Sequence, residues 1–216
     1  MASAVQALLF SYGLAPGGGD GGVTYATLDG AVTAGTLSNG NLTYTHTSGN
    51  GTARSTAQKN SGKWYFEITA GTGIAAGGTN SSVGVMKLGA TDINVLNGSD
   101  AGMVLKGGNA AIFSNNASSG LSLGVDIADG NIIGVAVDLD NHKIWFRKAP
   151  SGNWNGQAIG SQNPATNTGG ASLSVWNATT LSPYAGFDAG GSWTANFGAS
   201  AFTGAVPSGF TSGWTV

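Results

Sequence analysis

The chain is 216 residues long, has no cysteine, and carries 8 Lys plus Arg against 10 Asp plus Glu, a formal net charge of −2. These numbers exclude disulfide staples, thiolate metal sites and cysteine nucleophiles, and they leave no basic patch of the kind a phosphate backbone requires, so no nucleic-acid partner is expected. Charged residues make up only 8% and Gly reaches 38, yet 41% hydrophobic content with 6 Trp argues for a packed core rather than disorder.

In chain order, the first stretch is apolar. Val5, Leu8, Leu9 and Phe10 dominate it, and no positive residue precedes them. A secretory signal needs that charge and a membrane span needs about 20 apolar residues, so neither export nor membrane insertion is expected. Two readings stay open: a terminal strand or short helix packed on its own domain, or a docking peptide that buries its apolar side in another subunit. The glycine-rich APGGGDGG at 15–22 reads as a flexible linker and favours docking. The expected division is therefore residues 1–22 as docking segment and linker, and 23–216 as one folded domain.

Short β runs follow. They are expected at 23–28, at 36–46 around a Ser38–Asn41 turn, and at 52–57. The run Lys63 to Thr69 is the clearest single strand, with Trp64, Phe66 and Ile68 alternating against Tyr65, Glu67 and Thr69. Further strands are expected at 82–86, 102–106 and 110–113. Residues 131–148 then read as a hairpin: Ile133, Val135, Val137 and Leu139 form one run, Asp140 to His142 the bend, and Ile144 to Phe146 the return. An isolated hairpin does not hold in water, so this one is expected near the middle of a covered sheet. A long loop at 149–171 comes next, then strands at 172–176, 183–188 and 192–197, and an irregular tail from Pro207. Segments 71–81, 88–100 and 114–123 read as loops. Helical periodicity is almost absent. The fold class expected is all-β, an antiparallel two-sheet sandwich.

The succession GKWYFEIT (62–69), SVGV (82–85), DGNIIGVAVDLDNHKIWFRK (129–148), PYAGF (183–187) and TANFG (194–198) resembles a SPRY (B30.2-like) domain. Trp64 and Glu67 stand where that family's W-x-E-V block is read, with one residue more between them. Trp154-Asn155-Gly156, Asn163-Pro164, Gly169-Gly170 and the closing FGASAFTGAVPSGF (197–210) are similar to the version found in bacteriophage tail and virion proteins. The resemblance covers about residues 38–214. It implies a bent two-sheet β-sandwich that binds partners through loops at one end. A composition rich in glycine and short polar side chains, poor in charge, is also typical of virus particle proteins and of extracellular β proteins.

A search for chemistry finds no catalytic site, metal site or cofactor. His46 in a Thr-rich strand and His142 in a turn read as solvated or edge residues. Asp138 and Asp140 lie two apart on one strand, as a carboxylate pair for glycoside cleavage would, but Asp140 closes a turn and the resemblance makes Asp138 structural. Asp126, Asp129 and Asn131 lack the spacing and terminal Glu of a calcium loop. Glu67, the only glutamate, is expected to pair with a lysine or the backbone.

Binding residues are read from aromatics flanked by amides. Trp154 and Asn155 in the long loop, and Trp176 and Asn177 beyond it, are the candidate ligand contacts, because rings stack broadly while amides give directional bonds. For Trp154 the competing expectation is a loop staple packed on the sandwich; Trp176 departs from the family pattern and is the better ligand candidate.

The function expected from the resemblance is a non-enzymatic, tail-associated bacteriophage virion protein that presents its domain to a host-surface glycan or protein. It would join other virion proteins through residues 1–22, as a homo-oligomer on a symmetric particle. The alternatives are a capsid decoration or head-fibre protein anchored by the same terminus, and a cell-encoded SPRY module binding a peptide.

Overall fold

The structure, a computed structural model, describes residues 22–29, 35–74, 81–90, 100–105, 107, 109–176, 179–187 and 190–216. The N-terminal residues Val5, Leu8, Leu9 and Phe10 and the linker through 21 lie outside the described residues, as does Asn177.

Two strand sets build two sheets. The first comprises β1 (Leu28–Asp29), β4 (Gly51–Ser55), β6 (Ser82–Lys87), β7 (Ala101–Leu105), β8 (Ala111–Ser114), β9 (Ala117–Ser122) and β13 (Leu181–Phe187), in the order β1-β4-β13-β6-β7-β8-β9. The second comprises β2 (Thr36–Ser38), β3 (Thr43–His46), β5 (Lys63–Ala70), β10 (Ile132–Asp138), β11 (Lys143–Lys148), β12 (Ala171–Ser172) and β14 (Gly191–Asn196), in the order β12-β11-β10-β5-β14-β3-β2. A short β15 (Thr211–Ser212) adds to β5 in parallel; the pairings along the two sheets are antiparallel. The all-β two-sheet sandwich read from the sequence is the fold.

The register explains the core. Val135 stands opposite Phe146 on one side and Phe66 on the other, and Val137 opposite Ile144 and Trp64. A strand's side chains alternate between faces, so Ile133, Val135, Val137, Ile144, Phe146, Phe66 and Ile68 all point between the sheets and are fully buried. Each such side chain contributes roughly 1.5–3 kcal/mol of hydrophobic stabilisation. The opposite sheet answers with Val83, Val85, Val104, Ile112, Ala185 and Phe187.

The outward face of the second sheet is also covered. Tyr65, Ala136, Trp145 and Trp154 form a separate apolar cluster with Phe210, flanked by Phe202 and Val206. The C-terminal stretch expected as an irregular tail is thus a third layer laid across β11, β10 and β5.

Three local expectations are corrected. Residues 114–123, read as a loop, contain β9, joined to β8 by a two-residue turn with Asn115 and Asn116 both at positive φ. Its sequence ASSGLS has no apolar alternation because it is an edge strand of largely exposed or half-buried residues. The strand expected at 172–176 shrinks to β12, followed by a 3-10 turn at Ser174–Trp176. The run at 23–28 is a strand only at its end. Ahead of that, Tyr25 bridges to Thr215, Ala26 N–H donates to the Trp214 carbonyl (2.9 Å) and Val216 N–H to the Thr24 carbonyl (2.9 Å). Residues 24–26 and 214–216 therefore lie side by side, next to the Lys63 end of β5.

Candidate functional site

The carboxylates considered for catalysis hold the fold. Asp138, fully buried, accepts from Lys63 Nζ at 3.0 Å and from the backbone N–H and side-chain Nδ2 of Asn141, each at 2.9 Å. Burial works against its charge, but the Asn141 and Lys63 hydrogen bonds outweigh it and hold the carboxyl below its ordinary value. Asp140 accepts from Gly62 N–H at 2.7 Å, which ties the β10–β11 turn to the start of β5. Asp129 and Asp126 accept from Gly73 and Asn109 N–H groups. Among the described residues no group of three His, Asp or Glu side chains gathers in a metal-holding arrangement.

Glu67 is 2% exposed and pairs with backbone. Its Oε2 accepts from Thr203 N–H (2.9 Å), and its Oε1 from Gly204 N–H (2.7 Å) and Tyr65 Oη (2.7 Å). Arg147 completes the junction by donating to the Ala205 carbonyl. Gly204 fits because a Cβ there would stand 2.7 Å from Arg147 Nη2 and 2.9 Å from Tyr65 Oη. Burial, then the bond to Glu67, pushes the Tyr65 phenol well above its usual value, so this hydroxyl is a fixed donor.

Trp154 and Asn155, candidate ligand contacts by sequence, are not exposed. Trp154 is 6% exposed, with the Arg147 guanidinium 4.4 Å over its ring and Tyr65 edge-on at 6.4 Å. It is a staple of the long loop on the sheet. Asn155 is 0% exposed and sits in the left-handed region at φ 48°. Its Oδ1 accepts from Phe146 N–H (2.8 Å) and its Nδ2 donates to Gln162 Oε1 (2.8 Å), which also accepts from Gly170 N–H. The reason is local: β12 pairs only with Lys143 and Ile144, so the next outward amide of β11 takes a side-chain partner.

Trp176 is corrected likewise. It is 6% exposed and belongs to the main core, closing the sandwich edge over Gly102 of β7 with Leu173. Leu173 and Trp176, three apart, follow a 3-10 period rather than strand alternation, a spacing visible in LSVW. Neither Trp meets the condition of exposure on which its ligand role rested.

Sequence reasoning missed His46. It is 8% exposed rather than solvated, stacked at 15° on Phe187 (6.4 Å) and at 22° on Tyr44 (6.1 Å), and neither ring nitrogen has a hydrogen-bond partner. Leaving a buried polar atom unpaired costs about 1–3 kcal/mol, so a hydroxyl that met either nitrogen would be stabilising there. The alternation Thr43-Tyr44-Thr45-His46 was the available signal, since it puts His46 on the core face beside Tyr44.

His46 stands between two hollows. One of about 440 Å³ is lined by Thr45, His46, Thr47, Thr72, Gly73 and the Gly190–Ser192 entry to β14; the other, about 270 Å³, by Gly35, Thr36, Thr45, His46 and Thr47. The glycine floor is steric: a Cβ on Gly190 would lie 2.7 Å from the Thr47 carbonyl, and Gly73 has φ +87°. The larger cavity lies beyond the Ala70 end of β5, while the paired chain ends lie at the Lys63 end. An eight-residue strand spans about 25 Å, so the two are on opposite ends of the domain.

Comparison with known proteins agrees with this architecture. The SPRY domain of human HERC1 is similar at 16% identity with a TM-score of 0.55, over 78% of this chain and 96% of that one. The TRIM65 PSpry domain is similar at 14% identity and a TM-score of 0.56, over 80% and 92% respectively. No curated protein matches this chain. The SPRY domain family matches residues 63–200, more than half of the sequence. The chain belongs to the SPRY domain family, whose members are in general interaction modules rather than enzymes.

Proposed function

We propose that this chain is a non-enzymatic SPRY binding module of a bacteriophage virion, tail-associated, that offers the end of its sandwich around His46 to a host-surface glycan or protein. The observation that carries the reading is the opposition of the two ends: residues 24–26 and 214–216 pair at the Lys63 end of β5, and a cavity of about 440 Å³ opens at its far end. A module attached by its terminus then presents that cavity outward. The low-charge, glycine-rich composition and the stretches Trp154-Asn155-Gly156 and 197–210 support the virion assignment. The apolar residues Val5, Leu8, Leu9 and Phe10 supply the attachment to other virion proteins.

Immunogold labelling of purified particles with an antibody raised against residues 38–214 tests this. Gold at the tail tip is the expected result. Gold spread over the head would replace the reading with capsid decoration, and clean particles would point to a cell-encoded interaction module.

A further inference from the structure

We propose that the His46 cavity takes a neutral, hydroxyl-bearing ligand, the terminal sugar of a glycan, and that the imidazole edge of His46 reads its hydroxyls. This rests on the loop end being the binding face and names the class of ligand that face selects.

The chemistry of the walls makes the choice. A neutral imidazole has one donor nitrogen and one acceptor nitrogen, and here both are unpartnered. A sugar hydroxyl both donates and accepts, so it pairs with whichever ring nitrogen it meets, protonated or not. A carboxylate accepts only and an ammonium donates only, so each pairs with just one of the two kinds of ring nitrogen. The remaining polar lining is hydroxyl and backbone: Thr45, Thr47, Thr72 and Ser192 around the glycine floor. No described residue that lines the cavity is charged, and the Asp129 carboxylate, held by Gly73 N–H at 3.2 Å beside the rim, disfavours an anion. No described residue that lines it has a large aliphatic side chain, so a peptide's apolar anchor finds nothing among them to bury against. A volume near 440 Å³ suits a small ligand. The ring nitrogens are shielded in the ligand-free domain, where the ring stacks on Phe187 and Tyr44, so binding requires the imidazole to turn toward the cavity.

The test is an NMR titration of the isotope-labelled full chain with the methyl glycosides of galactose, glucose, mannose and N-acetylglucosamine, with N-acetylneuraminic acid as the charged comparator. Each is taken to about 10 mM, tenfold above a millimolar dissociation constant. The expected result is that a neutral glycoside shifts the His46 ring resonances together with Thr47, Thr72 and Gly191. That response falls at least ~10-fold in His46→Phe, which retains the ring stack and melts no lower than wild type. No shift with any neutral glycoside overturns the assignment, as does an equal response in His46→Phe or a preference for the charged sugar. A peptide from a random display selection separates the two levels. If it shifts the same rim while the glycosides do not, the loop end is the binding face and its ligand is a protein; if its shifts, like any glycoside's, map only to the Lys63 end of β5, the binding face itself is misplaced.

Discussion

Replacing Glu67 by Ala lowers the unfolding free energy by about 3–5 kcal/mol, a large share of a domain's margin. The carboxylate is the shared acceptor for Tyr65 Oη, on β5, and for the N–H groups of Thr203 and Gly204, which belong to the C-terminal layer. Alanine removes the charge-assisted bonds, strands the Gly204 amide and the Tyr65 phenol in a buried site, and frees the Thr203 amide at its edge. Glu67→Gln retains oxygen on one side but turns an NH2 toward a donor on the other, so it loses about half as much. Urea denaturation reads the magnitude. Hydrogen exchange gives the location: amides 203 and 204 lose protection in both variants while β10 and β11 keep theirs. If exchange rises uniformly instead, Glu67 is not a local fastener of the third layer.

The second large effect is at Asn155. Asn155→Ala is expected to cost about 3 kcal/mol, combining an unsatisfied Phe146 amide and a released Gln162 with alanine's poorer tolerance, relative to asparagine, of φ 48°. Asn155→Gly separates the two contributions. It tolerates positive φ but makes neither bond, so it recovers about 1 kcal/mol of the loss, less the entropy of the added glycine. Equal melting temperatures for Asn155→Ala and wild type would contradict the clamp and return Asn155 to the list of free ligand contacts.

What could be read from the sequence follows sequence distance. The run at 63–69 and the hairpin at 131–148 carry their own alternation and turn residues, so their strands, faces and bend are found to within a residue or two. Strand β9 could not be found that way, since ASSGLS becomes a strand by lying along β8 and not by any apolar pattern of its own. Trp154 and Trp176 looked available because glycines, serines and amides flank them. What buries them comes from elsewhere in the chain: Tyr65 and Arg147 for the first, the β7 backbone at Gly102 for the second. The partners of Glu67 lie 136 and 137 residues away. His46 shows the same limit from the other side. Its burial was implied by Tyr44 two residues before it, but the lack of any partner for its nitrogens is a property of the assembled loop end.

The absence of cysteine allows a direct test of orientation. Single variants Thr45→Cys, at the cavity rim, and Thr24→Cys, beside the paired chain ends, place one exposed thiol at each end of the domain. Their maleimide labelling rates are measured on the free chain and on assembled particles. If the cavity end is presented and the terminal end attached, Thr45→Cys labels on particles as fast as it does free, and Thr24→Cys is protected. Protection of Thr45→Cys with a freely reactive Thr24→Cys would mean that the His46 end faces the particle, and the account of this domain as an outward-facing binding module would be wrong.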